Sequence, residues 1–297
     1  MLLLDAGKSL FKGSNNNNRH PQLVKGMGIA KAYMKMGYDA VALSSSDVMA
    51  GQLFLEQTFQ EGLPWVSANL VDKNGVLVAQ SHLIKTVDSI KIGIIGLTDE
   101  LAVHEEYSTI DYQTALENVL QPIDGQCDMI ILLSNFTGGV NKEIAAKFPS
   151  IDLILSSDRS LGKMRPLVVN NTLITQTSTR GKYLGTLDIE WHGRGIWYND
   201  RQISLSELRT REKTVSTQLD QLKANKSEQT GKNKKKIARL QIKKQRLEKE
   251  IEVRDLQEAK FSGQPNKHRL RFIPVQPKKS PEDIESIVQE IKRGLKN

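Results

Sequence analysis

Residues 90–97 read Ile90-Lys91-Ile92-Gly93-Ile94-Ile95-Gly96-Leu97, an apolar run with four isoleucines and a single charge. Eight such positions are too few for an ordinary helix and too uniformly apolar for a half-solvated strand, so they predict a central strand covered on both faces. Similar runs follow at Met129-Ile130-Ile131-Leu132-Leu133 and Ile151-Asp152-Leu153-Ile154-Leu155, and others precede it at Leu2-Leu3-Leu4, Asp39-Ala40-Val41-Ala42-Leu43 and Trp65 to Leu70. Between them lie helical stretches at residues 22–36, ending at Gly37, and at residues 114–120. Strands alternating with helices over residues 1–203 predict a layered α/β domain. Asp72-Lys73-Asn74-Gly75 predicts a hairpin turn, and Leu173 to Gln176 with Leu184 to Trp191 predict two antiparallel strands.

Beyond residue 203 the composition changes. Residues 201–271 hold 20 Lys+Arg against 9 Asp+Glu, whereas the rest of the 297-residue chain holds 22 against 25. The net charge of +8 therefore belongs to one segment. Within it Leu205, Leu208, Val215, Leu219 and Leu222 form one apolar seam, and Ile237, Leu240, Leu247 and Ile251 form another. The polar break at residues 225–231 separates them, which predicts an antiparallel coiled-coil hairpin over residues 204–260 with arms of roughly 35 Å. Glu212 and Lys244 are polar seam positions suited to fixing its register. Residues 261–297 read as an extended linker with three prolines, then a closing helix capped by Ser280 with Pro281 at its first position.

Several functions find no support. No apolar run reaches the eighteen residues of a membrane span. Cys127 is the sole cysteine and reads as a small buried hydrophobe, so no disulfide framework or thiolate cluster can form. The five histidines, His20, His82, His104, His192 and His268, show no metal-ligand spacing. Phosphate-cradling glycine loops and a Gly-x-Ser-x-Gly elbow are absent. Residues 15–18, four asparagines, read as a polar loop.

An ordered set of segments nevertheless resembles the N-terminal domain of the 5'-nucleotidase/UDP-sugar hydrolase type of metallophosphoesterase. Leu3-Leu4-Asp5-Ala6-Gly7-Lys8-Ser9-Leu10-Phe11 resembles the family's strand ending in Leu-Asp-x-Gly-Asp. Met36-Gly37-Tyr38-Asp39-Ala40-Val41-Ala42-Leu43 is similar to the strand that delivers Gly-Asn-His-Glu, and Leu63-Pro64-Trp65-Val66-Ser67-Ala68-Asn69-Leu70 to the strand after it. Ile92 to Thr98, Ile131 to Ser134, Ile151 to Leu155 and Gly181 to Gly185 complete the series over most of residues 1–192. The resemblance implies a metallophosphoesterase-like αββα layered sandwich, here with the coiled-coil hairpin appended.

The departures from that family fall where its two divalent ions are held. The bridging Asp position is Lys8; the Gly-Asn-His-Glu position reads Ser44-Ser45-Ser46-Asp47; the Leu-Ser-His position reads Leu133-Ser134-Asn135; the Gly-His-x-His position reads Ser157-Asp158-Arg159-Ser160. The first Asp-x-His motif has no counterpart, nor has the base-binding second domain, for which Phe272 to Val275 and the last helix resemble only the linker. Divalent ions need oxygen and imidazole donors in a fixed constellation. The resemblance therefore implies a catalytically inactive domain with no metal cofactor and no nucleotide substrate. The alternative is a phosphoesterase with an atypical site, Mn²⁺ or Mg²⁺ held by Asp47, Asn135 and Asp158. Lys8, Ser44, Ser45, Ser46, Asp47, Asn135, Ser157, Asp158 and Ser160 are expected to converge in a relic cleft, with Lys8 paired to Asp47 or Asp158. That cleft is either a plain solvated ion pair or a small-anion site. By resemblance the domain is periplasmic or otherwise extracytoplasmic, although the chain shows no signal peptide. The hairpin is expected to dock a protein partner. The next reading is that its charges simply solvate a structural arm; the third is that its lysines bind nucleic acid or an anionic membrane, but it has no aromatic side chain on which a base could stack.

Overall fold

In a computed structural model, residues 1–11, 19–178, 181–198, 205–224, 231–260, 263–276 and 281–295 are described. Residues 15–18, the break at 225–230, and Ser204 and Ser280 lie outside them. The elements run β1 (Leu4–Asp5), α1 (Arg19–Met36), β2 (Ala40–Ala42), α2 (Ser45–Val48), α3 (Gln52–Gln60), β3 (Trp65–Val66), β4 (Leu70–Asp72), β5 (His82–Val87) and β6 (Ile90–Leu97). They continue with β7 (Tyr107–Thr109), α4 (Tyr112–Ile123), β8 (Met129–Ser134), α5 (Gly138–Lys147), β9 (Leu153–Ser156), β10 (Met164–Val169), β11 (Thr172–Gln176) and β12 (Tyr183–Glu190). The last are α6 (Leu205–Ala224), α7 (Gly231–Lys260), β13 (Lys267–Pro274) and α8 (Glu282–Gly294). They divide into two compact units, Met1–Trp197 with Lys267–Asn297, and Tyr198–Asn266.

In the first unit a six-stranded sheet of order β10-β11-β9-β8-β6-β5 faces a three-stranded sheet of order β1-β2-β3. Strand periodicity decides which side chain enters which layer. Ala40 and Ala42 of β2 point between the sheets with Ile92, Ile94, Met129, Ile131 and Leu133. Val41 and Leu43 point the other way, to Phe54, Leu55 and the inner face of α1. Ile130 and Leu132 pack under α4 and α5 with Leu116, Val119 and Ile144. The result is helix, sheet, sheet, helix, the αββα sandwich that the sequence implied. β6, β8, β9 and β11 are parallel, so their carboxyl ends share one rim.

The sheets approach closely because β6 places Gly96 against β3. A methyl group there would overlap the Val66 carbonyl. Buried polar groups tie the same junction: Thr98 Oγ1 donates to Leu43 O at 2.9 Å and Asn69 Nδ2 to Thr98 O at 2.8 Å. Helix starts follow local chemistry. The Asp111 carboxylate accepts from the N–H groups of Gln113 and Thr114 ahead of α4, and Thr137 caps α5.

Three expectations are corrected. β11 does not pair with β12: it is buried along its length and pairs with β9 in parallel and β10 in antiparallel fashion. β12, with alternate exposed residues, pairs instead with β13, so the stretch expected as a linker contains an eight-residue strand. Its inward Leu270 and Phe272 alternate with Arg269 and Arg271, a period of two that supplies the physical reason. The hairpin turn expected at Asp72 does form, with Gly75 N–H donating to Asp72 O and Val71 bridging Leu77 in antiparallel fashion, and β4 also pairs with β7 on its other side. For α8 the capping position is Pro281, which is extended at φ −51° and ψ 148°.

In the second unit Arg209 pairs with Asp255 at 2.7 Å, and Lys244 reaches Glu212 at 3.6 Å. These ion pairs set the start of α6 beside the end of α7, so the helices run antiparallel, with Leu208, Val215 and Leu219 buried.

Gly96→Ala should lower stability in urea denaturation by about 1–3 kcal/mol through overpacking. Gly125→Ala, where a methyl group meets nothing within 4 Å, should stay within about 0.5 kcal/mol of the wild type. Equal midpoints for the two variants would refute the tight sheet contact.

Candidate functional site

The rim is assembled from both sheets. β1 ends in a turn with φ of +88° at Gly7 and +64° at Lys8. Glycine is required at the first position, since a methyl group would lie 2.6 Å from Ala42 O and 2.7 Å from Asn135 Nδ2. A left-handed lysine costs about 1 kcal/mol and persists only where its surroundings hold it. Here both ends are held. Lys8 Nζ lies 2.9 Å from Asp99 Oδ2 and donates to Asn135 O at 2.7 Å. The Arg159 guanidinium donates to the carbonyl oxygens of Lys8 (3.0 Å) and Phe11, clamping the loop from the other sheet.

The expected partners of Lys8 are occupied elsewhere. Asp47 Oδ2 accepts from Ser44 N–H at 2.8 Å and Ser44 Oγ at 2.5 Å, closing on its own loop. Asp158 accepts from Gly138 N–H, Ser160 N–H and Ser160 Oγ at 2.7–2.8 Å. Both Asp158 oxygens and Asp47 Oδ2 are satisfied locally, and the ammonium takes Asp99, which also accepts from Ser45 N–H at 2.9 Å. Asp99 is not among the residues singled out from sequence, although it stands two residues beyond Leu97 at the carboxyl end of β6, where ligand-facing positions lie. Asn135 points its Nδ2 to Ala6 O at 2.6 Å. Ser44 and Ser46 share a hydrogen bond at 2.8 Å, Ser157 Oγ reaches Ser134 O at 3.4 Å, and Ser160 is exposed. Lys8, Asp99, Asn135 and Ser45 are thus brought together directly; Ser44, Ser46 and Ser160 serve their own loops, and Ser157 bonds the end of β8.

Electrostatically the rim is acidic around the Lys8 ammonium, with the Arg159 guanidinium at its edge. Burial pushes Asp47 up to about 7, with Asp5 and Asp99 adding to the push and the Ser44 hydrogen bonds opposing it. Burial likewise raises Asp5, against the hydrogen bond from Tyr33 (2.5 Å) and those from Ser9 and Gly7. Burial also acts upward on Asp158, but hydrogen bonds from Ser160 and Gly138 and the charge of Lys8 outweigh it, so its carboxyl sits below the usual range. Asp47 Oδ1 and Asn135 Oδ1 are buried with no partner among the described residues.

The fold family implies two divalent ions here, and these residues do not fit them. An ammonium stands among the carboxylates, and both Asp158 oxygens already accept from N–H and O–H donors, which leaves Asp47 Oδ1 and Asn135 Oδ1 as too few open acceptors for a two-ion site. Among the described residues no three His, Cys, Asp or Glu side chains cluster closely enough to hold an ion.

No family model matches the sequence. The Bacillus subtilis (strain 168) metallophosphoesterase YunD is 26% identical over 132 residues, 42% of this chain and 29% of that protein. Among solved structures the chain resembles the sulfate thiohydrolase SoxB of Thermus thermophilus, with a TM-score of 0.56 and 22% identity over 65% of this chain and 36% of that one. A 5'-nucleotidase precursor, also from Thermus thermophilus, gives a TM-score of 0.55 at 20% identity, over 64% and 42% of the two chains. The NAD nucleotidase NadN of Haemophilus influenzae gives 0.54 at 21% identity, over 82% and 51%. The chain spans less than two thirds of the length of each. Among the described residues no helix is long and apolar enough to cross a membrane.

Burial also lifts Asp152 to about 7, against a hydrogen bond from Ile130 N–H. Asp47 and Asp152 both carry folded values above the usual 3.8, so each contributes stability that is complete below about pH 4 and lost as pH rises through about 7. Between pH 4.5 and 8 the wild type should therefore lose on the order of 2 kcal/mol relative to an Asp47→Asn variant, read by urea denaturation at both values. A constant difference across that window would contradict a protonated Asp47.

Proposed function

We propose that this chain, which has the metallophosphoesterase fold of the 5'-nucleotidase-type proteins, does not hydrolyse phosphate esters and serves as a scaffold or protein-binding module. The observation that carries this reading is the ion pair Lys8–Asp99, with the same ammonium on Asn135 O, at the rim where the strands of both sheets end. A fixed positive charge repels a divalent cation and cannot ligate one while protonated. In such a site there is neither a bound hydroxide to attack phosphorus nor a pair of cations to bind the phosphoryl oxygens. Lys8 supplies one positive charge among Asp5, Asp47 and Asp99, which suits it to holding the loops together. With two acceptors already on its ammonium, it is poorly placed to take up a free phosphate.

The second reading is a phosphoesterase with an atypical divalent site. It rests on Asp47 Oδ1 and Asn135 Oδ1, two buried acceptors without donors among the described residues. Sulfate thiohydrolase, 5'-nucleotidase and NAD nucleotidase are the activities of longer proteins with this fold. None is carried over, because the ligand positions here are Lys8, Ser44 to Asp47, Asn135 and Ser157 to Ser160. An extracytoplasmic location and a protein partner for the α6–α7 unit belong to the same proposal. They rest on the family resemblance and on the charge of that unit.

The deciding measurement is metal content after dialysis against excess Mn²⁺, with a parallel assay on a generic phosphodiester. Well under one equivalent of metal and no turnover are expected. Two equivalents with turnover would sink the proposal and make Asp47, Asn135 and Asp158 a working site. Lys8→Ala should also cost roughly 1–3 kcal/mol of stability, because Asp99 is left partly buried without its cation.

A further inference from the structure

The helix α7 carries a second longitudinal stripe that its pairing with α6 does not use. Its first seam, Ile237, Leu240, Lys244, Leu247 and Ile251, is half-buried on the side that the ion pair Lys244–Glu212 ties to α6. On another face, Ile242, Val253 and Leu256 are exposed at 52%, 41% and 55%. The cations Lys235, Arg239, Arg246 and Lys249 are exposed too, and none makes an ion pair among the described residues. Together these seven positions advance by steps of four, three, four, three, four and three residues. That alternation is the spacing that keeps one stripe facing a neighbouring helix over several turns. At 1.5 Å per residue the stripe is about 30 Å long.

We propose that this face of α7 docks an amphipathic acidic helix of a partner protein, whose carboxylates meet Arg239, Arg246 and Lys249 and whose apolar residues cover Ile242, Val253 and Leu256. The inference rests on the reading of the chain as a protein-binding module and names the chemistry of its partner. Exposed apolar side chains interspersed with cations offer a partner both surface to bury and charge to pair. A nucleic-acid backbone would satisfy the cations but offers nothing to Ile242 or Leu256, and no aromatic side chain lies in residues 205–260 to stack on a base. A second copy of the chain fits poorly. Parallel stripes oppose each cation to itself, and antiparallel stripes set Arg246 against Arg246 and Ile242 against Lys249. Like charges directly opposed are disfavoured.

The test is fluorescence anisotropy of the whole chain with a labelled designed helix of roughly 20 residues. That probe bears Leu and Glu in the complementary three- and four-residue steps. The same helix with Lys for Glu, and a single-stranded oligonucleotide of similar length, serve as further probes. Micromolar binding is expected for the Glu helix alone. Binding should weaken by about tenfold or more in an Arg239→Glu, Arg246→Glu, Lys249→Glu variant and equally in an Ile242→Ser, Leu256→Ser variant. All five substitutions are at exposed positions, and circular dichroism checks that helicity is kept. No binding of the Glu helix, undiminished binding by the serine variant, or tighter binding of the oligonucleotide would each overturn the proposal. Phosphodiester turnover by the same sample would remove the inactive-domain reading and leave the anisotropy result standing, so the two failures are distinguishable.

Discussion

The first unit depends on how closely its two sheets can stack. Ala40 and Ala42 on one side and Gly96 on the other leave so little between the layers that a single methyl group at Gly96 would strike the backbone of β3. The buried bonds from Thr98 to Leu43 O and from Asn69 to Thr98 then fix the relative position of the sheets at their carboxyl ends. That junction places Lys8 and Ser44 to Asp47, from the smaller sheet, opposite Asp99, Asn135 and Asp158, from the larger. Without it no side chain of one sheet could reach the other, and the rim would be two unrelated sets of loop residues.

Given that juxtaposition, electrostatics dictate what the rim can tolerate. Asp47 is fully buried, and the half-buried Asp5 and Asp99 are near enough to disfavour its charge. Two devices relieve the repulsion. Lys8 brings a compensating charge to Asp99, and Asp47 is driven toward its protonated form. A divalent ion would be a third device, but the ammonium and a divalent ion compete for the same carboxylates. The positive φ of Lys8 fits this account. The side chain is threaded from a strained turn because its charge is needed at the junction, and Arg159 holds the turn closed from the far side.

How far the sequence could be read follows from which forces act locally. The apolar runs at residues 90–97, 129–133 and 151–155 report burial directly, so the parallel core of the larger sheet was legible. Pair identities were not. β12 and β13 lie more than seventy residues apart in the chain, and only the alternation of Leu270 and Phe272 with Arg269 and Arg271 hinted that the presumed linker was a strand. Helix α5 begins with the pair Gly138-Gly139, which argues against helix, and its tell-tale was the capping Thr137. At the rim, family motifs pointed to the substituted positions and therefore to Lys8, Asp47 and Asp158. They could not name Asp99, because it stands outside the ligand motifs, or foresee that Gly138 and Ser160 would occupy both oxygens of Asp158 and Ser44 one oxygen of Asp47.

The two units answer opposite demands with the same residue type. In the first, the Lys8 ammonium at the rim is held by Asp99 and Asn135 O, so the charge is structural and its position is fixed by the sheets. In the second, charge repeats along a helix. Where it meets α6 it is neutralised by pairs such as Lys244–Glu212 and Arg209–Asp255, which set direction and register. Where it faces outward it stands without a described counter-charge among Ile242, Val253 and Leu256, although those apolar side chains are exposed rather than packed within their own unit. Solvation alone would account for lysines and arginines on a helix surface. It does not account for three large aliphatic residues in register with them. The acidic amphipathic helix proposed above as partner would bury both kinds of side chain at once.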